Sequence, residues 1–197
     1  METNAVSFRQ TEKFQKGRTG ERLISDLLRS KGWYVIPSYD YSGDDGNKAP
    51  RMEGPKNSII IPDLDIAKDG VRNWAEVKTK DAPSFTRKTN QYEHGIPMRH
   101  FDEYHKVQAI TGCRVWLFVY ELQSGEVVCA DLDALAGNRR EYGGHKMSRG
   151  GMVFFPRHIF KFFARIEAGE VTARLPCVAR VTGTPDQHPT PPAEKRP

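Results

Sequence analysis

One segment, residues 59–80, constrains the fold of this chain most, because it sets ionisable side chains among residues typical of buried strands. It reads IIIPDLDIAKDGVRNWAEVKTK. Asp69-Gly70 is a favoured two-residue hairpin turn, so the flanking runs predict two strands, over 59–67 and 71–79. Ionised groups near a core are costly unless they are paired or bind a cation. The acids and the lysine of this hairpin are therefore candidates for function.

The turn also predicts which residues of the hairpin face each other. If residues 69 and 70 form the turn, counting outward along both strands places Asp63 opposite Glu76. Side chains alternate along a strand, so Asp65 lies on the same face as Asp63, and Lys78 on the same face as Glu76. Two carboxylates at this distance repel each other unless a cation lies between them. Mg²⁺ and Mn²⁺ suit such a pair, because they prefer oxygen ligands and keep bound waters.

Lys78 completes a set of groups suited to phosphodiester hydrolysis. A metal ion activates its bound water and neutralises a phosphate, while a nearby lysine can orient or deprotonate that water or stabilise the developing charge. A ladder of Glu and Lys on the exposed face of a one-sided sheet is the alternative interpretation. The apolar run at 59–61 and Trp74, which falls on the face of the carboxylates, weigh against that alternative.

The rest of the chain predicts a mixed α/β fold. Helices are predicted over residues 15–31 and 99–111, each followed by a glycine that ends it. The other predicted elements are strands over 33–36, 114–121, 126–130 and 152–155, loops over 37–58 and 79–97, and a closing helix over 158–166. The order helix, strand, hairpin, helix, strand indicates an α/β layer with a mixed sheet.

This arrangement resembles the PD-(D/E)xK nucleases, and in its pattern it is most similar to the archaeal Holliday-junction-resolvase branch. The motifs that carry the resemblance are an acid on the first helix, Pro-Asp before the hairpin turn and Glu-x-Lys after it, here Glu21, Pro62-Asp63 and Glu76-Val77-Lys78. The resemblance spans residues 16–120. It implies a restriction-endonuclease-like αβββαβ core, with a mixed central sheet flanked by helices, followed by a C-terminal β/α extension.

The resemblance also implies a role for each motif residue. Asp63 and Glu76 would bind Mg²⁺ or Mn²⁺, with the carbonyl of Val77 as a third ligand. Lys78 would act on the attacking water, and Glu21 would hold a water molecule or a second cation. For Glu21, the alternative is a surface acid near the positive N-terminal end of its helix.

Two further sets of residues are candidates at this site. Asp65 shares a face with Asp63 and is the alternative metal ligand, although the predicted pairing favours Asp63. Some members of the family carry a Gln-x₆-Tyr motif after the lysine, and this chain lacks that spacing. His100, Tyr104 and Gln108 instead lie four residues apart on one face of the second helix. That face either lines the cleft or is a mixed polar helix edge.

The charge of the chain is compatible with a polyanionic partner. Lysine and arginine total 30 against 25 acids, which gives a net charge of +5. Two basic segments, over residues 79–91 and 138–165, supply the candidate nucleic-acid contacts, which are Lys80, Arg87, Lys88, Arg139, Arg140, Lys146 and Arg149. Ordinary solvated charge is the alternative interpretation. Neither segment resembles an element that reads base edges, so sequence-specific cleavage is not supported.

The cysteines and the hydropathy of the chain limit the class of protein to which it can belong. The three cysteines are widely spaced, which argues against a disulfide framework and a structural zinc site and favours a cytoplasmic location. No apolar run is long enough to cross a bilayer, and the first residues lack the apolar stretch of a signal peptide. We expect one domain over residues 1–179, with a core at about 15–121 and a basic extension at 122–179. Residues 180–197 are expected to form a disordered, proline-rich tail.

The sequence therefore predicts a metal-dependent endonuclease that hydrolyses DNA. Structure-selective cleavage and a role in defence or in a mobile element are the alternatives for its biological activity. RNA as the substrate is a further alternative, because charge and motif do not separate it from DNA. An alternative from another class is a non-catalytic nucleic-acid-binding or assembly subunit that keeps the nuclease fold. A homodimer is also expected, because many such nucleases pair two sites to cut two strands.

Overall fold

The structure is a computed structural model that describes residues 12–38, 50–143, 150–167 and 170–172. The predicted tail at 180–197 lies outside these residues. A 3₁₀ turn at Arg157–Ile159 lies between two of the strands. The other elements of this part of the chain, in order, are α1 (Glu12–Ser30), β1 (Tyr34–Pro37), β2 (Arg51–Glu53), β3 (Ser58–Ile60), β4 (Leu64–Lys68), β5 (Val71–Lys80), β6 (Ser84–Thr86), β7 (Gln91–Pro97), α2 (Met98–Thr111), β8 (Arg114–Glu121), β9 (Glu126–Asp131), α3 (Leu132–Ala136), β10 (Arg140–Tyr142), β11 (Met152–Pro156), β12 (Lys161–Glu167) and β13 (Glu170–Thr172).

A mixed sheet forms the centre of the fold. Its seven strands within the described residues lie in the order β1-β4-β5-β8-β9-β12-β13. The pair β5–β8 is parallel, because α2 carries the chain back across the sheet, and the other recorded pairs are antiparallel. The elements α1, β1, β4, β5, α2 and β8 give the αβββαβ order of the core. The predicted fold class is therefore confirmed.

The two long helices cover opposite faces of the central sheet. On α1, Ile24, Leu27 and Leu28 recur at helical spacing and are fully buried against strand residues that include Val77. On α2, three buried residues pack against the other face, where Trp74, Val115, Leu117 and Val119 lie; they are Phe101, Tyr104 and Val107. Each face of β5 therefore meets a different helix, and side-chain alternation decides which residues of β5 face which helix.

The hairpin formed by β4 and β5 has the predicted register. Asp69 and Gly70 adopt positive φ angles of 50° and 78°, as a two-residue type I′ turn requires. Asp65 pairs with Trp74, and Leu64 pairs with Ala75. The next position outward along both chains joins residue 63 to residue 76, which is the juxtaposition that the turn predicts.

The strand predicted over residues 59–67 is wrong as a single element. It consists of β3 and β4, separated by Ile61 to Asp63. Pro62 causes the break, because proline lacks the N–H group that a central strand needs and fixes φ. β3 leaves the central sheet and pairs with β2, so the predicted loop over 37–58 is also wrong at residues 51–53.

A second sheet replaces the loop predicted over residues 79–97. It has the order β10-β11-β7-β6, and it packs against α2 through buried residues such as Ile96, Val153 and Phe155. Its strands β6 and β10 have three residues each. Strands this short carry little periodic signal, which explains why pattern alone misses them.

The closing helix predicted over residues 158–166 is wrong. This segment contains the 3₁₀ turn and the strand β12, which pairs with β9. The register of β12 shifts between Phe162 and Ala164, and this bulge buries the adjacent residues Phe163 and Ala164. With Phe160 also buried, apolar residues recur three and four positions apart, which imitates helical spacing. The described part of the C-terminal extension is therefore mainly β-structure.

Among the described residues, no helix combines the length and apolarity needed to cross a membrane.

Candidate active site

Two buried carboxylates meet at the open end of the β4–β5 hairpin. Asp63 follows Pro62, directly before β4, and is 5% exposed, while Glu76 lies in the middle of β5 and is 1% exposed. The N–H group of Val77 donates a hydrogen bond to Oδ2 of Asp63 at 2.9 Å. In a strand, the N–H and C=O groups of one residue point to the same neighbouring strand, so the Val77 carbonyl also lies on the side of Asp63.

The charge of Asp63 is strongly disfavoured where it lies. Burial and the neighbouring carboxylate of Glu76 raise the pKa of Asp63 well above its ordinary value. The positive charge of Lys78 and the hydrogen bond from Val77 oppose this rise without cancelling it. A further cation beside the two carboxylates would favour their charged forms.

Lys78 pairs with Glu76 on the same face of β5. Its Nζ donates a hydrogen bond to Oε1 of Glu76. Burial by itself would lower the pKa of Lys78, but the carboxylates of Glu76 and Asp63 outweigh burial and raise that pKa above its ordinary value. Lys78 is therefore an ammonium ion that donates hydrogen bonds. This state favours orienting a water molecule or stabilising a phosphate over removing a proton.

One oxygen of Glu76 indicates what the pair can hold. Oε1 accepts from Lys78, whereas Oε2 is buried and has no hydrogen-bond partner among the described residues. A buried acceptor without a partner costs about 1–3 kcal/mol, and more when it is charged. A divalent cation at Oε2 would remove that cost and reduce the repulsion from Asp63, so these residues fit Mg²⁺ or Mn²⁺.

A complete protein cage for a metal ion is not present in the described part of the chain. No three or more His, Cys, Asp or Glu side chains are grouped there as metal ligands. Mg²⁺ is typically bound by one or two carboxylates and completes its coordination with waters and substrate phosphates. Asp63 and Glu76, with the Val77 carbonyl beside them, match that sparse mode of binding.

A glycine on α1 brings Glu21 to this site. A Cβ atom on Gly20 would lie 1.8 Å from Oγ1 of Thr79, so only a residue without a side chain lets α1 approach β5 this closely. Glu21 follows directly, and its charge raises the pKa of both Asp63 and Lys78. The structure thus brings Glu21 into electrostatic contact with the other predicted site residues. A cleft of about 380 Å³ opens beside it along α1.

His100 approaches the site from α2. Burial and the positive charge of Lys78 lower the pKa of His100, so the imidazole is neutral at pH 7. Its Nδ1 lies 3.2 Å from the hydroxyl group of Tyr104, which is buried. Gln108 lies two turns further along α2, where its amide group accepts from the N–H of Val115 at 2.7 Å. The structure therefore brings His100 to the cluster, and it does not bring Gln108 there.

Asp65 is engaged elsewhere on the hairpin. Its carboxylate accepts hydrogen bonds from both sides of the Arg72 fork, from Nε to Oδ1 at 3.0 Å and from Nη2 to Oδ2 at 2.6 Å. Such a bidentate pair neutralises the carboxylate and fixes its orientation. Of the two aspartates that share this face, Asp63 is the one beside Glu76.

The predicted nucleic-acid contacts fall into different environments. Lys80 ends β5 and, by alternation, lies on the face of Lys78. Arg87 and Lys88 are exposed in the turn between β6 and β7. Arg139 is exposed and forms an ion pair with Glu141 at 2.9 Å. Lys146 and Arg149 lie outside the described residues.

Arg140 is a structural part of the second sheet. Its Nη2 donates to the buried carboxylate of Glu93 at 2.6 Å, and its guanidinium group lies 4.8 Å from the ring centroid of Phe154. Acids on other strands also neutralise other cations of the extension. Arg165, for example, pairs with Glu126 at 2.7 Å. The pattern of the sequence did not indicate these pairs, because their partners are distant along the chain.

Ser38 is a site neighbour that sequence reasoning missed. Its N–H group donates to the carbonyl of Asp63 at 2.8 Å, which continues the β1–β4 register by one residue. Its Oγ is buried and has no hydrogen-bond partner among the described residues. The signal for it is the pairing of β1 with β4, which the sequence does not reveal.

Comparison with known proteins gives similarities of fold. No protein-family model and no curated protein matches the chain. The Holliday junction resolvase Hjc of the archaeal hyperthermophile Archaeoglobus fulgidus is 11% identical, with a TM-score of 0.47, over 73% of this chain and 91% of Hjc. D212, a nuclease from a fusselovirus, is 15% identical, with a TM-score of 0.40, over 74% of this chain and 82% of D212.

Proposed function

We propose that the protein is a metal-dependent nuclease that hydrolyses phosphodiester bonds in DNA. The observation that carries the proposal is the buried Oε2 of Glu76, which has no hydrogen-bond partner in the described part of the chain, beside the buried carboxylate of Asp63. A buried pair of like charges is destabilising, so its presence in a well-packed sheet favours a functional role over a structural one. Mg²⁺ or Mn²⁺ is the cofactor that this pair would hold, with the Val77 carbonyl as a further ligand.

Each residue of the site has a separate role in hydrolysis. A bound Mg²⁺ lowers the pKa of its water and neutralises charge on the phosphate. Asp63 and Glu76 fix the position of the cation, and the hydrogen bond from Val77 orients the Asp63 carboxylate. Lys78 donates hydrogen bonds to the attacking water or to the phosphate oxygen on which charge develops. Glu21 positions a water molecule or a second cation from α1.

The substrate side of the proposal rests on charge. Lys80 ends β5, and Arg87 and Lys88 follow it along the chain. These cations are suited to phosphate contacts, which carry no sequence preference. We therefore propose cleavage without sequence specificity. Cutting both strands of a duplex would require two copies of the chain, so a homodimer is part of the proposal.

A panel of substrates tests the proposed activity. Purified protein is incubated with single-stranded, duplex, branched and supercoiled DNA and with RNA, each with Mg²⁺, Mn²⁺ or EDTA. We expect metal-dependent cleavage of DNA that falls at least 100-fold in Glu76→Gln and Lys78→Ala. Asp65→Asn is the matched control, because it removes an acid from the same hairpin face.

The control and the panel make the outcomes separable. Activity retained in Asp65→Asn and lost in Glu76→Gln supports the proposal. Full activity in Lys78→Ala or Glu76→Gln would contradict it. Cleavage of RNA alone would replace DNA as the substrate, and nucleic-acid binding with no cleavage under any condition would favour the non-catalytic alternative.

A further inference from the structure

Two aromatic side chains stand exposed on the second sheet. Phe85 on β6 and Tyr92 on β7 are 51% and 57% exposed. They are directly paired in the register, and their ring centroids lie 5.3 Å apart with the planes at 60°. β6 is the edge strand of the described sheet, so one side of this aromatic pair faces solvent. Large rings of this kind usually bury most of their area, so a pair left exposed marks a surface for binding.

The turn beside these rings is positively charged. It carries Arg87 and Lys88, both exposed, and the sequence has no acidic residue from 82 to 92. The next acid, Glu93, is buried and pairs with Arg140 at 2.6 Å, so it does not offset this charge. Exposed rings next to exposed cations match the two components of a single-stranded nucleic acid, namely flat bases and phosphates.

The aromatic pair lies on the face of the second sheet that turns toward the core. Along β7, alternation sets Tyr92 on the same face as His94 and Ile96, which are buried against the core. Burial lowers the pKa of His94, and the charge of Lys80 contributes to that lowering, so Lys80 lies near His94. Lys80 in turn follows the site on β5.

The rings are also close to the site along the chain. The chain from Lys78 to Phe85 spans at most about 25 Å even when fully extended. A short single-stranded segment that has a phosphate at Lys78 can therefore reach the rings.

We propose that Phe85 and Tyr92 form a stacking platform for unpaired bases of a single-stranded nucleic acid, with Arg87 and Lys88 on its phosphates. The position of the platform relative to cleavage rests on the proposed function, whereas binding to the platform does not require catalysis. The substrates are then nucleic acids that have unpaired bases near the bond that is cut. Stacking is tolerant of sequence, because every base presents a flat face.

Fluorescence anisotropy in EDTA tests the platform without cleavage. The probes are fluorescein-labelled oligothymidylate, oligouridylate of equal length, and a DNA duplex of equal length. We expect Phe85→Ala and Tyr92→Ala each to weaken single-strand binding about tenfold, with a change of less than twofold for the duplex. Phe85→Trp keeps a flat ring and should bind as the wild type does. Tyr34→Ala is the matched control, since Tyr34 is 80% exposed on β1, an edge strand of the central sheet, and should show no change.

Thermal melting of each variant checks that folding is unchanged, which the exposure of both rings predicts. Wild-type affinity in both alanine variants would overturn the proposal, as would an equal loss for single strand and duplex. A loss of self-association in these variants, measured by light scattering, with unchanged DNA binding would assign the rings to a contact between copies and also overturn it. The anisotropy arms for DNA and RNA identify which strand the platform takes.

The two proposals fail separately. Loss of cleavage in Glu76→Gln with normal binding to oligothymidylate leaves the platform in place and supports the catalytic site. A loss of single-strand binding in Tyr92→Ala, with residual cleavage of short substrates, supports the platform and leaves the proposed metal site unaffected. No cleavage by the wild-type protein would contradict the proposed function, and the binding result would stand by itself.

Discussion

The N–H group of Val77 donates to the carboxylate of Asp63 across the open end of the hairpin, at 2.9 Å. This bond ties a side chain that precedes β4 to the backbone of β5, and it holds Asp63 beside Glu76 despite the repulsion between their charges. A hydrogen bond to a carboxylate is worth about 1.5–3 kcal/mol, which offsets part of that repulsion. The candidate site is thus a local consequence of one hairpin register and one backbone donor.

Gly20→Ala is expected to destabilise the protein, because the new Cβ atom would lie 1.8 Å from Oγ1 of Thr79. Separating α1 from β5 should lower the free energy of unfolding by about 1–3 kcal/mol, the usual cost of overpacking. Urea denaturation measures it. Gly17→Ala is the matched control, since a Cβ atom there meets nothing within 4 Å, and it should be neutral or stabilising by up to about 1 kcal/mol.

The double variant Gly20→Ala with Thr79→Ala sharpens this prediction. Removing Oγ1 of Thr79 takes away the closest contact, so the double variant should recover part of the lost stability. Equal stability of Gly20→Ala and wild type would show that the contact between α1 and β5 is looser than described.

The ion pair between Glu93 and Arg140 predicts a loss of stability in acid. The hydrogen bond from Arg140 lowers the pKa of Glu93 below its ordinary value. A carboxyl group whose pKa is lower in the folded state stabilises that state above its unfolded pKa. This contribution is lost as the pH falls through the folded pKa. Arg140→Met should therefore lower the free energy of unfolding by roughly 2–3 kcal/mol at pH 7, because it leaves a buried carboxylate without its cation.

The pH dependence separates this effect from lost packing. Protonated Glu93 no longer needs its cation, so the difference between Arg140→Met and wild type should shrink as the pH falls below the ordinary pKa of glutamate. Denaturation curves at pH 7, 5 and 3 measure it. A difference that stays constant over this range would assign the effect to the contact with Phe154 instead.

His100 and Gln108 should respond differently to substitution, although both lie on one face of α2. His100→Ala should lower the cleavage rate about tenfold with little loss of stability, because the charge of Lys78 at the site acts on the imidazole. Gln108→Ala should lower the free energy of unfolding by about 1–2 kcal/mol and leave cleavage unchanged, since its side-chain amide bonds to Val115 and Asp133, away from the site. Cleavage rates and melting curves of both variants measure these effects. A loss of stability in His100→Ala together with a loss of cleavage in Gln108→Ala would contradict the prediction.

The candidate site could be predicted from sequence because its geometry is local. A two-residue turn and a side-chain period of two place Asp63, Glu76 and Lys78 together, and no distant contact is needed. The contribution of Gly20 was not predictable, since it depends on how closely α1 packs against Thr79. The same limit applies to Ser38, which reaches Asp63 only through the pairing of β1 with β4.

The errors in the fold also have physical causes. Pro62 interrupts a run of apolar residues whose pattern predicts one strand. The bulge between Phe162 and Ala164 gives β12 a spacing of buried residues that is typical of a helix. The pattern of cations in the extension predicts a nucleic-acid surface. In the structure, Arg140 and Arg165 pair instead with acids that are distant along the chain. Partners of this kind are set by topology, which a local pattern does not contain.

The binding of Mn²⁺ to the Asp63–Glu76 pair tests the central claim most directly, because it measures the cation site without a substrate. Calorimetric titration compares the wild-type protein with Glu76→Gln and with the control Asp65→Asn. We predict one Mn²⁺ site per chain in the wild type and in Asp65→Asn, and an affinity at least tenfold weaker in Glu76→Gln. Equal affinity in all three proteins, or no binding to the wild type, would contradict the account.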